Sequence, residues 1–368
     1  MRNGWVEVTL GELAAWTSGK NISKDSRSLD GEFPIIGANG EIGRADSFLY
    51  DQPLVVVGRV GSCGETHLIN QKVWISDNAL IAIPNAKIVV TYLYYLLKIF
   101  DYNKIISGTT QPLITQGKLK MQAALLPPLP EQKRIVDLIS TVDSYIDALW
   151  QQLEKAKRAR GAVLHELLTA GGDGWLVTSL DEVADVIMGQ SPEGRSYNAV
   201  GDGLPFMQGS AEFGEHHPIP EKWCSEPRKI AEPGDLLMSV RAPVGDTNFA
   251  NQQIAVGRGL SIIRANAKSL NGFLRLAVQF NVPNVLASSG TGMFSSITGK
   301  NLRSLKISLP PLPEQKRIVD LISTVDSYIE ALQVQIDSSM NLRSGLLSDL
   351  LSGNHEIPSS YDQVIAAA

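Results

Sequence analysis

The chain of 368 residues holds only two cysteines, Cys63 and Cys224. Two thiols cannot staple a disulfide framework, and neither stands at metal-site spacing, so a reducing cytoplasm is the expected compartment. No apolar run approaches the ~18 residues a membrane span needs, and the opening Met-Arg-Asn-Gly-Trp lacks the apolar core of a secretory signal. Neither sign of charge dominates: 33 basic residues face 38 acidic ones, a net charge of -5. That balance at first argues against a phosphate-binding surface. Catalytic signatures are missing too. The sequence has no GxxxxGKS/T loop, HExxH helix, CxxC pair, GxSxG elbow or Asp/Asn-Pro-Pro-aromatic tetrad. The adjacent His216 and His217 share no face on a strand or a helix and read as a surface loop beside Pro218. No catalysis, metal or cofactor is expected of this chain itself. With 43% apolar and 19% charged residues the composition is that of a folded protein, and ~100–200 residues per domain gives two or three domains.

What is present is a duplication. Pro127–Leu149 reads PPLPEQKRIVDLISTVDSYIDAL, and Pro310–Leu332, 183 residues later, differs from it only in having Glu330 for Asp147. Weaker likeness extends outward: GWVEVTLGELA from Gly4 matches GWLVTSLDEVA from Gly174, and Ile114-Thr115 matches Ile297-Thr298. Pro130 and Pro313 suit a helix start, and Glu131 and Glu314 suit its positive end. Apolar residues then recur at 3,4 spacing: Ile139, Val142, Ile146, Leu149, Leu153, Ala156, Val163 and Leu167 in one copy, and Ile322, Val325, Ile329, Leu332, Ile336, Leu346 and Leu350 in the other. This is a coiled-coil seam, carried by helices of roughly 40 residues and ~60 Å that stop at Gly171-Gly172 and Gly353. Arg160 and Arg343 hold equivalent seam positions and either snorkel to the edge or fix the register of an antiparallel pair. The regions between read as β-rich with one helix each. Apolar runs at Phe33–Ile36, Leu54–Val57 and Ala79–Ile83 precede a helix at Val89–Phe100; Gly234–Val240 and Leu260–Arg264 precede one near Leu270–Phe280. The expected fold is therefore α+β. Two β-rich globular domains are separated by two long helices pairing as an antiparallel coiled coil, a rod with a pseudo-two-fold internal repeat. The divisions fall at 1–126, 127–172, 173–309, 310–353 and a tail, 354–368.

This layout resembles the specificity (S) subunit of Type I restriction–modification enzymes. The likeness covers the whole chain and rests on the doubled LPPLPEQKRIV starts at Leu126 and Leu309, the openings at Trp5 and Trp175, and GTTQPLIT at Gly108 beside GTGMFSSIT at Gly290. The resemblance implies that 1–126 and 173–309 are target-recognition domains, each reading half of a split double-stranded DNA site. It also implies that the helices act as spacer and as docking surface for two methyltransferase (modification) subunits. Restriction subunits then join for ATP-dependent cleavage, and S-adenosylmethionine, ATP and Mg belong to those partner subunits.

Several side chains are candidates to touch DNA. Each copy has a Gly-Thr pair, hydroxyls or amides, and cations ahead of its long helix: Thr109, Thr110, Gln111, Lys118 and Lys120 in one; Thr291, Ser295, Ser296, Lys300 and Arg303 in the other. Such groups bind phosphate, and Gln reads adenine; a polar loop closing a domain is the alternative. Arg59 and Arg241 each follow an apolar strand and suit guanine or a structural ion pair. Lys20, Lys24 and Arg27 in the first domain, and Gln190, Ser191, Arg195 and Tyr197 in the second, follow the first strand in equivalent places; Gln208 is a further base reader. Competing functions are a coiled-coil scaffold for proteins and a modification-only system. By module the net charge is +1 for residues 1–126, 0 for 131–170, -1 for 173–309, -3 for 310–352 and -2 for the tail. Near-neutral recognition domains imply weak DNA binding by the chain alone, with partners neutralising much of the phosphate.

Overall fold

The apolar runs Leu54–Gly58 and Ala79–Pro84 pair antiparallel at the centre of a four-stranded sheet, in a computed structural model that describes residues 4–23, 27–28, 30–108, 112–214, 217–288 and 296–363. Ala14–Ser18 and Thr66–Ile69 form its edges. Leu54–Gly58 is buried on both faces, so it is apolar throughout rather than alternating. A second sheet runs Arg27–Ser28, Gly40–Ala45, Phe33–Gly37 and Trp74–Ile75, the last pair parallel. The helix Val90–Lys98 buries Tyr92, Leu93, Tyr95 and Leu97 against the core. Gly61 and Gly64 adopt positive φ in the turn between Leu54–Gly58 and Thr66–Ile69, where a side chain would be strained. These elements belong to a compact unit of residues 1–150 with 334–368.

Residues 151–333 form the other unit; its four-stranded sheet has the same strand order, and its second sheet has five strands where the first unit has four. Ala184–Met188, Leu260–Ala265, Leu236–Ser239 and Thr247–Phe249 make the four-stranded sheet. Tyr197–Asn198, Lys222–Cys224, Leu204–Met207, Ile254–Val256 and Ile230–Ala231 make the second, again with one parallel pair, Leu204–Met207 beside Ile254–Val256. The helix Asn271–Ser288 is longer than the sequence expectation and continues through Pro283, because its apolar face extends to the buried Val282. In each unit a two-stranded clasp closes the module: Val6–Thr9 with Ala123–Leu126, and Leu176–Ser179 with Lys306–Leu309.

Each clasp leads into a long helix, Leu129–Thr169 or Leu312–Leu351, starting one residue before the expected prolines. The reason both start there lies in one side chain. Gln132 is fully buried; its Nε2 donates to the carbonyls of Lys87 (3.0 Å) and Pro127 (2.9 Å), and its Oε1 accepts from the amide of Val89 (2.9 Å). Gln315 repeats the set with Lys268 (2.9 Å), Pro310 (2.9 Å) and Leu270 (2.9 Å). Each amide thus stitches the helix start to the loop before the module's own helix. A buried amide bonded this way is stable, whereas one left unpartnered is costly.

Within each unit the two long helices run antiparallel. In the first, Ile135 and Ile139 share a core with Leu347, Leu350 and Leu351. In the second, Leu164 and Leu168 share one with Ile318 and Ile322. Of the seam residues, Ile139, Ile146, Leu149, Leu153, Ile322, Leu332 and Ile336 are buried, and Val142, Val325 and Ile329 are half-buried. Val163 is a correction: it is 37% exposed, while Leu164 and Leu168 are buried. There the helix packs on the globular core as well as on the other long helix, and its buried face drifts from the 3.5-residue repeat toward 3.6. Arg160 and Arg343 do not snorkel. Arg160 grips Asp326 through Nε and Nη2 (the latter at 3.0 Å), and Arg343 grips Asp143 likewise (3.2 Å). At the 183-residue offset these are the same pair made twice. Tyr95 adds a hydrogen bond to Asp143 at 3.1 Å, and the carboxylate holds the Arg343 guanidinium more firmly protonated than usual.

Replacing Gln315 by Leu strands two carbonyls and one amide and is expected to cost about 3 kcal/mol, measured by denaturant unfolding; a loss below ~1 kcal/mol would show that the amide is not a clamp. A double-mutant cycle on Arg343 and Asp143 should return a coupling of about 1 kcal/mol, because the pair is forked but partly solvated. Exchanging the two residues should recover most of the single-mutant losses, and no recovery would mean the pair does not set register.

Candidate nucleic-acid interface

The backbone bonds that hold the loops at the end of each four-stranded sheet are the same in both units, and they define which residues correspond. The amide of Lys20 donates to Ile75 and that of Gln190 to Val256, at 2.9 and 3.0 Å. Gly19 bonds Ala79 as Gly189 bonds Leu260, and Arg59 bonds Asn78 as Val240 bonds Gly259. The amides of Ile114 and Ile297 close onto the carbonyls of Arg59 and Val240, each at 2.9 Å. Lys20 and Gln190 are therefore counterparts, in line with their equal distance from the first strand. Arg59 and Arg241 are not. The counterpart of Arg59 is Val240, and that of Arg241 is Val60, since Val60 bridges Leu113 where Arg241 bridges Ser296. One residue of shift on an extended chain reverses the direction of the side chain.

The shift has consequences. Arg59 turns inward: it is half-buried, its Nη1 donates to Ser18 at 3.2 Å, and its Nε is buried without a hydrogen-bond partner among the described residues. Burial raises the thiol pKa of neighbouring Cys63, whose Sγ lies 3.1 Å from the Arg59 carbonyl oxygen. Arg241 turns outward and is exposed. With Met188, Val240, Ala242, Arg258, Ser296 and Ile297 it lines a cleft of about 590 Å³.

Arg258, between Gly257 and Gly259, is an available arginine that no sequence pattern singles out. A Cβ on Gly257 would lie 2.5 Å from the Gln208 side-chain oxygen, and one on Gly259 would lie 2.2 Å from the Gln208 carbonyl oxygen. Both glycines are needed for the close approach of two loops, and Arg258 is pushed out between them, exposed. Ser191 ties the loops together, donating to Gln208 Oε1 at 3.2 Å and accepting from the Arg258 amide at 3.4 Å. In the first unit the matching exposed positions are Asp77 and Asn78. Two arginines in one unit thus correspond to a valine and an aspartate in the other. Only the hydrogen-bond register reveals this, because the flanking sequences share no motif.

The remaining candidates scatter around these loops. Arg27 is exposed on its short strand, paired with Ala45. Lys118 is exposed, bonds Ser107 at 2.9 Å, and lies with half-buried Lys120 on the helix Gln116–Lys120. Lys300 and Arg303 occupy the matching helix Gly299–Arg303, where Arg303 reaches back to the Val186 carbonyl at 3.0 Å. Thr115 and Thr298 cap these two helices, and a strand separates each from the long helix. Arg195 is exposed and paired with Glu193 at 3.1 Å. Tyr197 stacks on Phe206 and donates to the Pro192 carbonyl at 3.0 Å, a structural arrangement. Lys24, Thr109, Thr110, Gln111, Thr291 and Ser295 lie outside the described residues. His217 is exposed in a loop, with Nδ1 3.1 Å from the Phe249 carbonyl oxygen. Among the described residues no three His, Cys, Asp or Glu side chains could hold a metal ion, and no helix is long and apolar enough to cross a membrane.

A family model for the Type I restriction modification DNA specificity domain matches residues 2–158 and 172–339. A Methanocaldococcus jannaschii protein named as a type I restriction enzyme MjaX specificity subunit is 35% identical over 300 residues, 75% of this chain and 71% of that one. Among solved structures, a chain from work on complex assembly and conformational transition of the type I R-M system superposes with a TM-score of 0.70 at 27% identity, covering 95% of this chain and 98% of that one. The S subunit of a Type-I restriction-modification system from M. genitalium shares the fold, with a TM-score of 0.61 at 17% identity over 95% of this chain and 97% of its own.

The geometry separates structural from available arginines. Arg59→Ala should lower unfolding free energy by about 1–2 kcal/mol, as it removes a half-buried side chain and its bond to Ser18. Arg241→Ala and Arg258→Ala should stay within about 0.5 kcal/mol of the parent. Equal losses at all three positions would contradict the assigned directions.

Proposed function

The chain belongs to the Type I restriction–modification DNA specificity family, and from that premise we propose that it reads two unlike halves of one DNA site, one with each module. The observation that carries this reading is the contrast at matched backbone positions: Arg241 and Arg258 in one unit, Val60 and Asp77 in the other. Arginine pairs in bidentate fashion with guanine, aspartate accepts from the cytosine amine, and valine packs on a thymine methyl. One scaffold with opposite charge at its tip favours two different sequences, so the site is bipartite and asymmetric. Recognition modules span 1–126 and 173–309, helical spacers 127–172 and 310–353. The duplicated helices supply a docking surface in each unit, suited to two methyltransferase subunits, and restriction subunits complete an ATP-dependent nuclease. The chemistry, with S-adenosylmethionine, ATP and Mg, sits on those partners. Modules of net charge +1 and -1 hold DNA weakly unaided, so the assembled complex neutralises most of the phosphate contacts.

The test is modification-sensitive sequencing of a host carrying this chain with its methyltransferase. The expected motif has two unlike halves separated by unread bases. Arg241→Ala with Arg258→Ala should relax one half, at about 1–3 kcal/mol per lost base contact, and leave the other half unchanged; Asp77→Ala should do the converse. Relaxation of both halves together, or an unsplit motif, would overturn the reading.

A further inference from the structure

The two copies of Lys-Arg-Ile-Val-Asp-Leu, 133–138 and 316–321, are identical in sequence and differ in what covers them. On the first copy lies the chain's own tail. Arg134 is only 16% exposed at its side chain, and its Nε and Nη2 donate to the two carboxylate oxygens of Asp362 at 2.8 and 3.1 Å. The Tyr361 hydroxyl donates to Asp137 at 3.1 Å. Ile357 is buried in the same core as Ile135 and Leu347, with Leu138 and Tyr361 packed at its edge. Glu356 adds negative charge near Arg134, and the guanidinium holds the Asp362 carboxyl below the usual range.

The second copy has no such cover among the described residues of its unit. Arg317 is 56% exposed and folds back onto Glu314, one turn away, at 2.7 and 2.9 Å. Asp320 is 61% exposed and bonds Lys316, one turn away, while Leu321 is 43% exposed where Leu138 packs. These are local pairs on a solvated helix face, and they exchange readily for an intermolecular partner.

We propose that the start of the second long helix is a docking site for an acidic, tyrosine-bearing segment of a partner protein, built like Ile357–Asp362. The argument is one of identity and complementarity. The side chains that hold Ile357, Tyr361 and Asp362 on the first copy are all present on the second, in the same order on the same helical face. A carboxylate from the partner takes the Arg317 fork, a tyrosine hydroxyl donates to Asp320, and an apolar residue covers Leu321 and half-buried Val319. The chain's own tail is seated on the first copy, and the occupant we assign to the second is a segment of another protein. This inference is independent of the DNA reading, since it concerns a helix face and not the recognition loops.

The probe is a labelled synthetic peptide of residues 354–363, titrated by fluorescence anisotropy into the full-length chain up to millimolar peptide. The full-length chain should bind one peptide. Asp362→Arg in the chain, which repels the seated tail from Arg134, should open the first copy and raise the count to two. Arg317→Glu should remove one site from each chain, leaving none and one. Arg317→Lys should weaken the remaining binding about tenfold, because a lysine cannot fork across both oxygens. Arg317 is exposed, so these variants keep the fold, and circular dichroism verifies that. Binding that ignores Arg317→Glu, or absence of saturable binding to the full-length chain, would overturn the proposal. Concentration-dependent dimers abolished by Arg317→Glu would assign the face to a second copy of this chain and overturn it equally.

Discussion

The buried side-chain amide at the start of each long helix is the constraint from which the rest of the architecture follows. Gln132 and Gln315 are solvent-free and use both amide hydrogens and the oxygen. An amide in that position has no cheap alternative: any tilt of the helix breaks a bond that water cannot replace. Each long helix begins in one unit and ends in the other, so its start is where a β-rich module and a helix become one body. The Arg–Asp forks then select a single register for the antiparallel pair. A sliding seam of Ile, Val and Leu alone specifies register poorly, and a charged pair inside it penalises every slip.

Each within its own unit, the two modules keep the backbone and change the tips. The amide–carbonyl bonds around Gly19, Lys20, Arg59 and Ile114 recur around Gly189, Gln190, Val240 and Ile297. They are main-chain bonds, indifferent to side chains, so the exposed residues between them vary freely. Arg241 and Arg258 stand where Val60 and Asp77 stand, with no cost to the fold. Loops held by a rigid sheet commonly carry recognition for this reason.

The duplication, the long helices and the β-rich modules were legible because they rest on local periodicity and on literal repetition. The clamp was not, for a glutamine on the first turn of a helix reads as a solvated residue until its three partners, 43 to 45 positions upstream or five away, are folded around it. The choice between snorkelling and ion pairing at Arg160 and Arg343 needed the antiparallel register that brings in Asp326 and Asp143. Arg59 and Arg241 look equivalent in a linear sequence, and one residue of strand register sends them opposite ways. The tail reads as featureless because the residue Asp362 binds is 228 positions away. Val163 departs from the seam rule because in that stretch the helix packs on the globular core as well as on the other long helix.

The central claim is that the helices set the separation of two independently read half-sites. It is tested most directly by inserting seven residues into both long helices, between Trp150 and Gln151 and between Gln333 and Val334. Two added turns lengthen each helix by about 10.5 Å, or about three base pairs of DNA. The expected methylation motif keeps both halves and gains about three unread base pairs between them. An unchanged gap, or altered half-sites at the new spacing, would contradict the claim.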